Sequence, residues 1–285
     1  MKETVLEGIS SVEAERRAYR KRQSFRSNLV SCISFAVFCV IIYIVLSNSE
    51  GWTRVRIAFF DPHYFVESIP LVLRGILTNL RILIFAVAGV AVFGTALAII
   101  RTTLSPVMFP LRVVATLYTD LLRGTPMIIV LYIIGFGVPG LRIFGRIDAS
   151  LLGTISIVVV YSAYASEVIR AGIEAIHPSQ RMASRSLGFT HAQTMRLIVL
   201  PQAIRKVVPA LMNEFVSMQK DVGLVSVLGA IDAVRSAQII VAQSYNFTPY
   251  VVTGAMFVVL SFPMIRLTDW YTSRLKKREQ MSGIV

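Results

Sequence analysis

Runs of about 20 apolar residues are the feature that most constrains the fold of this chain. The stretch 28–46, NLVSCISFAVFCVIIYIVL, contains no charged side chain, and comparable runs recur along the sequence. As a helix, a run of that length crosses the hydrocarbon core of a bilayer. The sequence therefore predicts an all-α membrane protein, and its 285 residues leave little room for a separate soluble domain.

The basic residues at the ends of these runs predict how the chain is oriented. About six spans are expected, at 28–46, 76–100, 107–136, 149–166, 207–228 and 250–267. Basic clusters at 16–26 and 274–278 flank the first and last spans. Because Lys and Arg favour the cytoplasmic side, both termini are expected to be cytoplasmic. The net charge of +13 thus belongs to loops at the membrane and does not indicate nucleic-acid binding.

This orientation predicts a linear order of segments. A basic cytoplasmic tail (1–27) precedes the first span (28–46), and an outer loop with aromatic residues suited to the membrane interface (47–75) follows it. The remaining spans form a membrane domain (76–272) that contains a cytoplasmic loop at about 174–203. A second basic cytoplasmic tail occupies 273–285.

The residue types that commonly hold metals or form disulfides are sparse. Cys32 and Cys39 lie seven residues apart in one predicted helix, about 10 Å along its axis, and are too far apart to form a disulfide. His63 falls in the outer loop, whereas His177 and His191 flank the cytoplasmic loop. No metal site is expected from this distribution.

The cytoplasmic loop is polar and basic in an otherwise apolar chain. Pro178 suits the first turn of a helix and Gly188 the left-handed position after its end, which predicts a helix over 178–187. Thr190 and Gln193 fit a capping box, which predicts a second helix. The two helices would form an elbow whose apolar knob is surrounded by arginines: Met182, Ala183 and Leu187 among Arg181, Arg185 and Arg196. A solvated basic loop is the alternative that spacing leaves open.

Four further segments carry a resemblance to a known family. LRGTP (122–126), SAYASEVIRAGIEAI (162–176), LPQAIRKVVPALMNEF (200–215) and KDVGLVSVLG (220–229) are similar to the polar amino-acid branch of bacterial ABC-importer permeases. The loop itself resembles their "EAA" loop, with Ala183 at the first alanine, Gly188 at the glycine and Pro201 at the closing proline. Met182 and Ser184 depart from the pattern, which has Glu and a second Ala there.

The resemblance implies an architecture and a set of partners. The family core has five spans, so the first span is expected to be an N-terminal addition. The elbow would dock into a groove of a separate ATP-binding subunit and transmit its closure, through Pro178, Gln180, Met182, Ala183, Ser184, Gly188 and Pro201. ATP and Mg would belong to that subunit, because this chain contains no GxxxxGK loop followed by Ser or Thr.

The same resemblance implies that the chain is not an enzyme. It would be a permease subunit in the bacterial cytoplasmic membrane, paired with an identical or homologous permease and supplied by an extracytoplasmic solute-binding protein. Met182 removes a carboxylate that could pair with a basic residue of the ATP-binding subunit, and it leaves open whether the second permease is identical or homologous.

Polar residues within the spans predict a substrate path. Arg123 and Thr125 lie in the third span, and Asn213, Glu214 and Asp221 lie in the fifth. Charges at that depth are costly unless they are paired or face water. Arg123 would meet the carboxylate of an amino acid, and Glu214 or Asp221 its ammonium group. The alternative is that these residues pair with one another and only hold the spans together.

Three other function classes fit the sequence less well. An ion-coupled secondary amino-acid transporter would need no docking elbow, and the spans contain no inverted repeat. A membrane enzyme would need a catalytic constellation at the span ends, and none is present. A scaffold protein would carry no substrate, so a transport measurement distinguishes it from a permease.

Overall fold

The computed structural model describes residues 2–103, 105–143 and 145–282, and these are helical with short connections and contain no strand. They divide into two compact units, Met1–Ala58 and Phe59–Val285. In the first unit, α1 (Lys2–Ser47) runs without a break through the predicted basic tail and first span, and α2 (Glu50–Phe59) follows.

The second unit contains nine α-helices within the described residues. These are α3 (Pro62–Thr102), α4 (Phe109–Gly124), α5 (Met127–Gly140), α6 (Ala149–Glu174), α7 (Pro178–Ser186), α8 (His191–Thr194), α9 (Leu200–Asp221), α10 (Ala233–Ser244) and α11 (Thr248–Ser282). Short 3₁₀ segments occupy Pro106–Met108 and Val222–Leu228, and a π-helical segment joins α8 to α9 at Met195–Val199.

Four helical segments are long and apolar enough to cross a membrane within the described residues, and two bent helix pairs raise the number to as many as six. One bent pair is Pro106–Gly124 with Met127–Gly140, which meet at 110°. The break falls at Thr125 and Pro126, within the predicted third span. Six spans agree with the prediction if each bent pair is one span.

Several helix boundaries differ from the predicted segment boundaries. Helix α3 begins at Pro62, before the start of the predicted second span near residue 76, because Asp61 caps the helix by accepting a 2.8 Å hydrogen bond from the His63 backbone N–H. The stretch 47–75, predicted to be an outer loop, therefore contains α2 and the first turns of α3. Helix α10 was not predicted, and α11 continues to Ser282, through most of the predicted basic tail.

Helix α6 lies at the centre of the second unit, in contact with α3, α4, α5 and α9. It runs parallel to α3, because contacts advance together along both helices: Gly89 meets Val158, and Gly94 meets Ala165. The core formed around this pair includes Ile82, Leu83, Ala86, Leu131, Ile157, Tyr161, Met218, Val222 and Val225. Small residues on both helices allow this close packing.

A polar joint attaches α10 to α3. Asp232 is fully buried, caps α10 by accepting from the Arg235 backbone N–H, and accepts a 3.1 Å hydrogen bond from the Asn79 side chain. The Asn79 carbonyl oxygen accepts in turn from the Ala233 backbone N–H. Gly75 is required beside this joint, because a Cβ there would lie 2.4 Å from the Ala233 backbone nitrogen.

Candidate functional site

The predicted elbow is present and consists of α7, α8 and the segment 187–190 between them. Helix α7 ends at Ser186, and Gly188 follows in the left-handed conformation with a φ of 83°. Thr190 and Gln193 form the predicted capping box, since each side chain accepts a hydrogen bond from the other residue's backbone N–H, at 2.9 and 3.2 Å. The elbow is therefore built by the local signals that the sequence carries.

The two arms of the elbow are fastened to each other and to α6. The hydroxyls of Ser184 and Thr194 share a 3.0 Å hydrogen bond, and both side chains are buried. Arg181 donates to the Ile173 carbonyl at 3.0 Å, and Lys206 donates to the Ala175 carbonyl at 3.1 Å. The end of α6 is thus bonded to the elbow through Arg181 and to α9 through Lys206.

The outer surface of the elbow is apolar and uncovered. Met182 is 62% exposed and Leu187 is 77% exposed, and Ala183 is exposed beside them. A small apolar cluster formed by Ile173, Ile176, Val199 and Ala203 joins the end of α6 to the start of α9. Gln180 and Pro201 are also exposed. Every residue predicted for the elbow is at the surface except Ser184.

A second group of charges lies where α3, α4 and α6 meet near the elbow. One Glu167 oxygen lies 2.9 Å from Arg101 and 3.6 Å from Arg123, and the other lies 2.6 Å from Arg170. Arg170 also contacts Glu174 at 2.5 Å. We call these five residues the Glu167 cluster. The Arg101 side chain is only 7% exposed, whereas that of Arg123 is 40% exposed.

Two tyrosines of α6 form hydrogen bonds to residues of the predicted path. The Tyr164 hydroxyl donates to the Arg123 carbonyl at 3.3 Å, and the Tyr161 hydroxyl donates to Asp221 at 2.8 Å. Their rings lie 5.9 Å apart. The backbone of Arg123 and the carboxylate of Asp221 are therefore bonded to neighbouring side chains of α6. Sequence reasoning missed both tyrosines, although their spacing of three places them on one side of a helix.

The other path residues are less closely held. Thr125 donates to the Leu121 carbonyl at 2.8 Å and lies at the break between α4 and α5. Asn213 is exposed on α9, and half-buried Glu214 lies within electrostatic range of Arg123. The Arg123 side chain contacts Glu167, which is not one of the predicted path residues. Within the described residues, no group of three or more His, Cys, Asp or Glu side chains could hold a metal.

Comparison with known proteins decides the family. Residues 94–277 match the model of the family described as "binding-protein-dependent transport system inner membrane component". The chain belongs to this family of ABC-importer permeases. It is a multi-pass inner-membrane permease subunit and not an enzyme, and this membership favours an ABC importer over an ion-coupled transporter.

Individual relatives agree with this assignment. A probable glutamine ABC transporter permease protein, GlnM of Bacillus subtilis, is 31% identical over 212 residues, which are 74% of this chain and 96% of GlnM. The arginine transport system permease protein ArtQ of the same organism is 32% identical over 68% of this chain and 88% of its own length.

A solved structure agrees as well. The crystal structure of an amino acid ABC transporter with histidines contains a chain that is 35% identical, with a TM-score of 0.69 over 75% of this chain and 98% of that one. A permease of this family works with an ATP-binding subunit and a solute-binding protein. The elbow is the segment of this permease that, by the resemblance, is expected to dock onto the ATP-binding subunit.

Proposed function

We propose that this permease carries a polar amino acid inward and that its elbow is the docking point for the ATP-binding subunit. The observation that carries the proposal is the elbow: an exposed apolar knob at Met182 and Leu187, on a segment that Arg181 fastens to α6 by its hydrogen bond to the Ile173 carbonyl. A knob of this kind gains free energy when a partner's groove covers it. A movement of the partner would then be passed to α6.

The polar amino acid as substrate is supported by the names of relatives and by the charges on the path. GlnM and ArtQ are described as glutamine and arginine permeases. The partly exposed guanidinium of Arg123 could bind a carboxylate, and the carboxylates of Glu214 and Asp221 could bind an ammonium group. Thr125 and Asn213 add uncharged polar groups along the same path.

The complete importer would contain two permeases, identical or homologous, around the path. Closed two-fold pairing is the usual arrangement of such membrane subunits. ATP and Mg would be bound by the ATP-binding subunit alone. With the elbow on the same side of the membrane as the ATP-binding subunit, both termini of this chain would be cytoplasmic. This orientation agrees with the basic residues that flank the first and last spans.

The test is transport by purified components in proteoliposomes. The permease, its ATP-binding subunit and its binding protein are reconstituted, and uptake of radiolabelled L-glutamine and L-arginine is followed with ATP on the elbow side. We expect uptake that requires ATP hydrolysis and the binding protein and is unaffected by a proton or sodium gradient. Uptake driven by an ion gradient without ATP would contradict the proposal. ATP-dependent import of a different solute class would contradict only the choice of substrate.

A further inference from the structure

An open cavity of about 840 Å³ lies at the start of α6, on the opposite side of the membrane domain from the elbow. Arg81 and Thr78 of α3 line one wall. Asp148, Ser150 and Thr154 at the beginning of α6 line another, and Gly229 lies at the break before α10. None of the path residues described above lines this cavity. Its volume falls in the range of about 300–1,000 Å³ that small-molecule sites occupy.

Arg81 is a charged residue that the described part of the chain leaves unpaired. Among the described residues its side chain forms no ion pair or hydrogen bond, and it is exposed on a helix long enough to span the membrane. An arginine in such a helix is costly unless it faces water or an anionic group. The open cavity leaves the guanidinium accessible to a ligand anion.

Asp148 supplies the opposite charge. One of its carboxylate oxygens caps α6 by accepting hydrogen bonds from the Ser150 and Leu151 backbone N–H groups, at 2.9 and 3.2 Å. The other oxygen is left for a further partner, and the side chain is exposed. Asp148 and Arg81 do not approach within 4.0 Å of each other as an ion pair. The cavity thus presents two separate, unneutralised charges of opposite sign.

The register of α3 and α6 places these charges at one end of the helix pair. Arg81 precedes Arg101 by 20 residues, and Asp148 precedes Glu167 by 19, so each pair is separated by about 30 Å along its helix. This distance is about the thickness of the hydrocarbon core. At the elbow end the charges are paired, at 2.9 Å between Arg101 and Glu167. At the far end they are unpaired and face the cavity.

We propose that this cavity is an outer receiving site for the charged head of an α-amino acid, with Arg81 binding the carboxylate and Asp148 the ammonium group. The inference rests on the proposed function, because the elbow end is taken as cytoplasmic and the substrate as an amino acid. The head group is common to all such substrates, whereas the open volume accommodates side chains of different size. The site therefore receives amino acids as a class, at the mouth where a binding protein releases them.

The test measures binding to the purified complex of permease and ATP-binding subunit in nanodiscs, without the binding protein. The first probe is the amino acid that the wild-type importer takes up best from a panel including L-glutamine and L-arginine. The second probe is its α-carboxamide, which lacks the carboxylate, and the third is its Nα-acetyl derivative, which lacks the ammonium charge. Asp148→Asn is chosen because asparagine also caps helices well.

Each variant is expected to affect only the ligand that carries the complementary charge. Arg81→Gln weakens the binding of the amino acid at least about tenfold. The weaker binding of the α-carboxamide stays nearly unchanged. Asp148→Asn weakens the binding of the amino acid by a similar factor but does not weaken the binding of the Nα-acetyl derivative. Arg74→Gln and Glu67→Gln, on the same helix α3 but outside the cavity, are the matched controls and leave all three affinities unchanged.

Three results would overturn the inference. If the wild-type importer transports an amino acid and neither variant changes its binding, the cavity is not a receiving site although the proposed function stands. If Arg81→Gln lowers the amount of anionic lipid that copurifies and does not change amino-acid binding, Arg81 binds a lipid headgroup instead. If the wild-type complex imports no amino acid at all, the proposed function fails, and the inference fails with it.

Discussion

The hydroxyls of Ser184 and Thr194 lie 3.0 Å apart and share a hydrogen bond across the elbow, and each side chain is only 4% exposed. Ser184 stands where the resembling permeases have alanine, so the departure from their pattern adds a bond between α7 and the next helix. The bond joins the arm that carries Met182 to the arm that leads into α9. It stiffens the elbow where a docking force would act.

Replacing Ser184 by Ala should loosen the elbow. The Thr194 hydroxyl would remain buried without this partner, so we expect a loss of about 1 kcal/mol of stability and a lower ratio of transport to ATP hydrolysis. The double variant Ser184→Ala, Thr194→Val should be less impaired than Ser184→Ala alone, because neither polar group is then left unpaired. Thermal unfolding and coupled uptake of the two variants are compared. If the stability loss of the double variant equals the sum of two independent losses, this interpretation is contradicted.

Replacing Gly188 by Val should damage coupling more than membrane insertion. Gly188 has a φ of 83°, and a side chain in the left-handed region costs about 1–2 kcal/mol, with β-branched residues among the least tolerant. Gly254→Ala is the control, because Gly254 lies in α11 with open space around its missing Cβ. The amount of protein in the membrane and ATP-dependent uptake are measured. Normal ATP-dependent uptake by the Gly188→Val variant would show that the elbow geometry is dispensable.

The elbow could be predicted because its signals are local. Pro178, Gly188 and the pair Thr190 and Gln193 act within one or two helical turns, and all behave as expected. The start of α3 at Pro62 was missed although Asp61 and Pro62 are good start signals, because the apolar run itself begins later. Helix α10 was missed because it depends on distant contacts: its capping residue Asp232 is buried against Asn79, 153 residues away.

Contacts between distant residues also explain what was missed in the candidate site. Arg123 was predicted on the path, but nothing in the sequence indicates that it also lies beside Glu167 and Arg101. The tyrosine contacts to Arg123 and Asp221 likewise depend on how α6 packs between α4 and α9. Periodicity gives the side of a helix on which a residue lies, whereas its neighbour is determined by tertiary packing.

Replacing Glu167 by Gln should destabilise the membrane domain strongly. Its carboxylate contacts three arginines, and Arg101 is nearly buried, so removal of the charge leaves an uncompensated cation and costs about 3–5 kcal/mol. Glu174→Gln is the control, since Glu174 is 57% exposed and its pair with Arg170 is worth at most about 1 kcal/mol. The melting temperatures of both variants in detergent are compared with that of the wild type. Equal melting temperatures for the two variants would contradict the account of the Glu167 cluster.

Arg101 and Arg123 should respond differently to the same substitution. Arg101→Gln is expected to lower thermal stability, because the side chain is 7% exposed and its contact to Glu167 is 2.9 Å. Arg123→Gln is expected to lower uptake while leaving subunit assembly intact, because its side chain is 40% exposed and its contact is longer, at 3.6 Å. Uptake and copurification with the partner subunits distinguish the two. If assembly and uptake fall together for Arg123→Gln, that arginine is structural.

Copurification of the ATP-binding subunit with an altered elbow tests the central claim most directly. The double variant Met182→Asp, Leu187→Asp puts charge on the exposed knob, and Leu141→Asp, Ile143→Asp makes the same change at exposed positions between α5 and α6. Both are isolated from native membranes in mild detergent, and the bound subunits are quantified by mass spectrometry. We predict that the elbow variant loses the ATP-binding subunit while the control retains it. Equal retention by both variants would contradict the assignment of the elbow as the docking point.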